Sequence, residues 1–390
     1  MKESKIIESI INQNNTLLKI QKFYENRNKL QNTIIMDFTE PASNFKNIDL
    51  LPSNIGKYNL CELADYTKTW IISKESNHDL KIPCIHYVFL DLNMLIFLDR
   101  YIHGHVFEDS TKFVKLMNVI KNKAQIFVDT AILESMSKNK NNCRALLISY
   151  YKFLNAKELN QFTQDIKLTQ SQYDEIDKKI IEAQQLVKDN GILQKFSILQ
   201  CMVLKSFIIR FQKNPKISKK QRFDELFKYC LRDLCIFDPT ELYALAQFFN
   251  ESNQNYFSKL QPSKKDIVNV SSNIAWDLFH PRLAEEAISY QINFDSPKFP
   301  IIYFATNDQE LKNYILLNPL RDIIFQKGYA PTNVSTYNAH DICGLLNNKK
   351  LFNEILDFKN ERKSWINKLN FLSIKNDLEE QAQNILDEYK

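Results

Sequence analysis

Apolar and polar positions change their period along the chain, and the changes mark its elements. Tyr87, Val88, Phe89 and Leu90 form an unbroken apolar run that Asp91 and Asn93 interrupt; Met94, Leu95, Ile96, Phe97 and Leu98 then resume it. Strand formers dominate the first half, and the second half suits a helix, so a buried strand ends at an acid. Lys112 to Lys121 has helical spacing, and Ala124 to Asp129 reads as a second buried strand. The helix that follows places Glu134 in its first or second turn, with Thr130 or Asp129 as cap. Phe299 to Asp308 is a third apolar run ending in an acid; a fourth short strand is expected at Asn333 to Tyr337, before a helix from about His340 to Leu346.

Strand, helix, strand, helix with short connections predicts a parallel sheet covered by helices. The fold class is therefore α/β, with a three-layer α/β/α core and large helical additions. Residues 1–80 read as an N-terminal helical extension, 81–150 as the first half of the core and 151–265 as a helical insertion. Residues 266–345 read as the second half of the core and 346–390 as C-terminal helices.

Composition narrows the classes. At 390 residues, 44% hydrophobic and 25% charged, the chain has ample material for packed cores. With 5 glycines and neither G-x-G-x-x-G nor a Walker sequence, a dinucleotide fingerprint or a P-loop is unsupported. No apolar stretch reaches the roughly 18 residues a membrane helix needs, and the N-terminus lacks a signal-peptide core, so a cytoplasmic protein is expected. The 7 cysteines lack C-x-x-C spacing and read as buried, reduced thiols. A formal charge of +5 is too mild to argue for nucleic acid. A local run does better: Lys205, Arg210, Lys213, Lys216, Lys219, Lys220, Arg222 and Lys228 outnumber the nearby acids. It reads as a solvated helix face or as a phosphate contact.

Two apolar strands thus end in Asp91 and Asp308, and two helices offer Glu134 and Asp277 near their strand-facing ends. Parallel strands place their carboxyl ends along one edge, where these acids can converge. Gathered carboxylates raise one another's pKa unless a cation sits among them, and Mg²⁺ or Mn²⁺ favours such hard oxygen ligands. A metal so held ionises water and stabilises charge on a phosphodiester.

Leu90-Asp91-Leu92-Asn93-Met94-Leu95, Leu133-Glu134, Trp276-Asp277 and Thr306-Asn307-Asp308, in that order, resemble the motif series of PIN domains. The resemblance covers about 83–145 and 270–345, less than half of the chain. It implies a parallel α/β/α core and an acidic Mg²⁺- or Mn²⁺-dependent endonuclease site that cuts single-stranded RNA. Asp91, Glu134, Asp277 and Asp308 would bind metal and act in catalysis, with Asn93 and Thr306 supporting through hydrogen bonds. Lys138, Lys140 and Arg144, just beyond Glu134, with Lys219 and Lys220, are candidates for steering the nucleic-acid backbone.

The chain departs from that pattern in the long stretch between Glu134 and Asp277, where Asp238 and Asp266 are rivals to Asp277. Its added helices suggest a toxin or defence effector by analogy alone, with a protein partner or a second copy of the chain as further partners. Arg100 to His105 also fits the loose R-x4-H pattern of HEPN-type ribonucleases, but those are helical bundles, and a strand precedes Asp91. His103 and His105 lack an identifiable third metal ligand and read as a polar loop around Gly104. Trp276 reads as core, and Asp295, Asp322 and Asp341 as turn or cap residues. The rival functions are DNA cleavage by the same fold and a non-catalytic interaction protein whose acids merely cap helices.

Overall fold

A computed structural model describes residues 3–13, 15–39, 49–74, 83–138, 142–188, 190–212, 217–249, 257–264, 266–288, 299–329, 332–337, 339–347, 351, 354–355, 358, 362 and 369–389. In chain order the elements are α1 (Glu3–Ile11), α2 (Thr16–Glu25), β1 (Thr33–Asp37), β2 (Asn54–Ile55), β3 (Tyr58–Glu62), β4 (Trp70–Ile72), β5 (Cys84–Leu90) and α3 (Leu92–Ile102). They continue with α4 (Ser110–Lys123), β6 (Ala124–Phe127), α5 (Asp129–Ser137), α6 (Cys143–Asn155), α7 (Gln170–Lys188), α8 (Asn190–Phe211), α9 (Lys219–Arg232) and α10 (Pro239–Phe248). The remainder are α11 (Ile267–Ile288), β7 (Phe299–Thr306), α12 (Gln309–Leu317), β8 (Leu320–Gln326), β9 (Thr332–Ser335), α13 (Ala339–Leu346) and α14 (Phe371–Glu388). The fold is mixed α/β.

Contacts divide the chain into two units. The first takes Met1–Ile180, Pro281–Asp308 and Pro319–Thr336, and the second Ile181–His280, Gln309–Asn318 and Tyr337–Lys390. The first holds two sheets. One has the order β2-β3-β7-β5-β6, with β5 parallel to β6 and β7, and β3 antiparallel to β7. All eight residues of β7 are buried, as expected of a strand covered on both faces. The other sheet, β4-β1-β8-β9, is antiparallel throughout.

Residues 1–80 are therefore not the wholly helical extension expected of them, because β1 to β4 lie within them beside α1 and α2. These strands are two to five residues long, and β1 and β3 find partners in β8 and β7 far along the chain, so no local period announces them. The fourth strand, β9, lies in the antiparallel sheet beside β8, not in the parallel one. Helices α1 and α2 pack Ile6, Ile7, Ile10 and Phe23 onto Ile35, Ile72 and Ile324 of this second sheet.

Lys19 of α2 is buried here with an ammonium 2.6 Å from Asp322 of β8 and 3.1 Å from Asp37 of β1. Thr16 and Thr39 donate to Asp37, and Arg321 donates to Asp322. Asp322 is thus an interior ion-pair residue, not the turn or cap its sequence suggests. The alternation in β8, where Arg321 and Asp322 follow Leu320, hides a strand whose charge faces a lysine about three hundred residues away, at a separation of 303. Asp295 lies outside the described residues.

The described residues of the second unit are helical apart from short connections. Helices α8, α9 and α14 pack together, and α10 packs on α13. Trp276 of α11 is core, stacked on Phe196 with ring centroids 4.6 Å apart. No disulfide joins any of the seven cysteines, six of which are buried. No described helix is long and apolar enough to cross a membrane.

Candidate active site

Strand β5 is the pivot of the five-stranded sheet, because the chain leaves it towards β6 on one side and returns as β7 on the other. Such a reversal opens a crevice at the carboxyl ends of the strands. Asp91 stands at that end. Its backbone N–H continues the ladder by donating to Ala305 of β7 at 3.1 Å, and its side chain then starts α3. One carboxylate oxygen accepts the Met94 N–H at 2.6 Å, an ordinary helix N-cap. The other accepts the Thr306 hydroxyl.

Thr306 binds in both directions. It donates to Asp91 and its oxygen accepts the Asp308 backbone N–H at 2.9 Å, so a single hydroxyl couples the ends of β5 and β7. Asp308 follows directly, half-buried. Asn307, between them, has a buried side-chain oxygen without a hydrogen-bond partner.

Glu134 comes from α5, which packs on α3 and β5. It is buried, and Lys138 one turn later pairs with it at 2.5 Å. Neither Thr130 nor Asp129 caps this helix through its side chain. Val128 holds the cap position without a side-chain bond, and Asp129 is tied instead to Lys179 of α7 at 2.9 Å. Thr130 is 4% exposed, and its hydroxyl finds no partner. Tyr150 donates to the Ile126 carbonyl at 2.7 Å, and that carbonyl is the one a helical threonine at this position would reach.

Asp91 senses both Glu134 and Asp308. Burial is the largest cause that pushes the Asp91 carboxyl up, to about 7, and the charges of Glu134 and Asp308 raise it further. The bonds from Thr306 and Met94 oppose the rise without cancelling it. A carboxylate held in a dry edge beside two others takes a proton unless a cation arrives.

Asp277 lies midway along α11, in the second unit, rather than at a strand-facing helix end. The apolar spacing around Trp276 predicts the helix but not its extent. The rivals Asp238 and Asp266 are also in the second unit, where Asp238 caps α10 and Asp266 accepts the Asn269 N–H at 3.0 Å. Asn93 is exposed in the first turn of α3.

Of the basic candidates, Lys138 is committed to Glu134, and Arg144 pairs with Asp177 at the surface. Lys140 lies outside the described residues. Lys219 and Lys220 are exposed in the first turn of α9, in the second unit. Their neighbours in the basic run are largely engaged: Lys228 pairs with Asp224, and Arg210 donates to the Phe248 carbonyl. His103 ends α3 and bonds to the Asp99 carbonyl at 2.8 Å.

One neighbour carried no sequence signal. Asn59 of β3 is buried directly opposite Thr306 in the antiparallel register, and it reaches the edge only because β3 runs against β7. A short strand with a polar centre cannot be told from a loop by periodicity.

Hard carboxylate oxygens suit Mg²⁺ or Mn²⁺, and the unpartnered oxygens of Asn307 and Thr130 are further neutral donors at the same edge. Among the described residues, however, no three His, Cys, Asp or Glu side chains meet in a group able to hold one ion. Both Asp91 oxygens are engaged, and Glu134 holds a lysine. The donor types fit a divalent cation. No family model, curated protein or solved structure matches this chain.

Proposed function

We propose that the carboxyl edge of β5 and β7 is the active site of a PIN-like, metal-dependent endonuclease that hydrolyses phosphodiester bonds of RNA. The observation that carries this reading is the meeting of Asp91, Glu134 and Asp308 within electrostatic reach at the switch point of the sheet. Carboxylates brought this close raise one another's pKa, and their hard oxygens suit a divalent cation.

Mg²⁺ or Mn²⁺, when bound, would supply a water of lowered pKa and neutralise charge on the phosphate. Asp91, Glu134 and Asp308 would hold it. Asp91 has to give up its proton first, so cleavage rises with pH through about 7. Thr306 keeps the Asp91 carboxylate in one orientation and fixes the backbone at Asp308. The proposed site needs nothing from Asp277.

The test is cleavage of a labelled single-stranded RNA by the full chain in Mn²⁺, beside the same sequence as DNA. Cutting of RNA that falls at least about a thousandfold in Asp91→Asn is the expected result. Cutting that survives this substitution removes the mechanism, and preferential cutting of DNA changes the substrate.

A second reading has its own observation. Asp91 makes a complete N-cap, and Glu134 makes an ordinary ion pair one helical turn long, so both acids are satisfied as structural residues of an interaction protein. That reading expects no Mn²⁺ binding at this edge and no cleavage.

A further inference from the structure

Among the described basic candidates, Lys138 stands against the acidic edge. It occupies the C-cap of α5, where its backbone N–H bonds to the Glu134 carbonyl, and its ammonium turns back one turn onto the Glu134 carboxylate. Side-chain exposure is 18% for the lysine and 12% for the glutamate, so water screens the pair only in part. Thr130 lies one turn before Glu134, and residues four apart on a helix share a face. The Glu134 face of α5 therefore carries, in order from the strand edge, an unpartnered buried hydroxyl, a carboxylate and a lysine laid over that carboxylate.

We propose that Lys138 is the resident counterion of this edge: its ammonium holds Glu134, and a divalent cation displaces it. The proposal rests on the metal-dependent reading above and adds to it a competition between a side chain and an ion. An ammonium on Glu134 both lowers the pull of the edge on a cation and occupies an oxygen that the cation would use. Displacement leaves Glu134 and the Thr130 hydroxyl as oxygen donors on one face of α5. The displaced ammonium remains on a four-carbon stem at the mouth of the site, where it can meet a phosphate.

Titration calorimetry of the full chain with Mn²⁺ tests this in three forms: unchanged, Lys138→Met and Lys138→Arg. Methionine keeps the stem and leaves the backbone cap intact; arginine keeps the charge. The expected result is about tenfold tighter Mn²⁺ binding by Lys138→Met, the direction set by removing one positive charge close to a divalent ion, with Lys138→Arg close to the unchanged chain. A lysine that only stabilises the end of α5 would instead lower the melting temperature of Lys138→Met without moving its Mn²⁺ affinity, and equal or weaker affinity overturns the proposal. If no form binds Mn²⁺, both the proposal and the metal-dependent reading fall. Tighter binding without RNA cleavage removes the nuclease reading alone, whereas cleavage with unchanged affinity removes the counterion alone.

Discussion

The first unit gathers carboxylates in two places and treats them differently. Between α2, β1 and β8, Asp37 and Asp322 share the buried ammonium of Lys19, and Arg321 and two threonines occupy the remaining oxygens. At the ends of β5 and β7, burial raises the Asp91 carboxyl, the charges of Glu134 and Asp308 raise it further, and Lys138 pairs with Glu134. Burial raises Asp322 as well and Asp37 adds to the rise, while Lys19 and Arg321 oppose it without cancelling it. The contrast separates two uses of buried acids. Two acids that share one fully buried lysine hold helices to a sheet, and an edge of three acids whose Lys138 is less deeply buried is suited to a ligand.

The largest expected effect breaks the first cluster. Lys19→Met leaves two buried carboxylates facing each other and should cost about 3–5 kcal/mol of folding stability, read by urea denaturation. A loss below about 1 kcal/mol would mean that water reaches the site and that the contrast with the β5 edge is false.

Asp91→Asn should act in the opposite direction. A carboxyl raised in the folded state contributes stability that is fully present below its ordinary range, is lost as pH rises to about 7, and stays lost above it. A tenfold weakening of an acid corresponds to about 1.4 kcal/mol, so the asparagine variant should be more stable at pH 8 by about 2–4 kcal/mol. Near pH 4 the two forms should converge. Parallel stability curves across that window would show that Asp91 is not held in a dry, negatively charged edge.

A smaller effect sharpens the role of the shared hydroxyl. Thr306→Val removes the donor to Asp91 and the acceptor for the Asp308 N–H, and should cost about 1–3 kcal/mol by thermal melting, with Thr306→Ser restoring most of it. An equal loss in both variants would assign Thr306 to packing rather than to hydrogen bonding.

Much of the site is legible in the sequence because its strands are long, apolar and buried. Asp91 and Asp308 stand where such runs stop, and Glu134 follows a third run at helical distance. Thr306 is legible as a neighbour of Asp308, but its bond to Asp91 joins residues 215 apart, and only the parallel pairing of β5 with β7 produces it. Asp277 shows the converse. An acid beside a tryptophan in an apolar stretch reads as a helix end near a strand, yet α11 runs on through Pro281, and the acid falls at its middle.

By itself, the sequence determined the mixed α/β class, the two acid-tipped strands and the helical character of the central third, because these follow from local period and side-chain type. Tertiary structure decided the rest: that β3 lies against β7, that β1 and β8 form a second sheet, and that Lys19 meets Asp322. Antiparallel partners, buried ion pairs and the balance of charge at an edge depend on contacts across hundreds of residues. No window along a chain contains the two sides of such a contact.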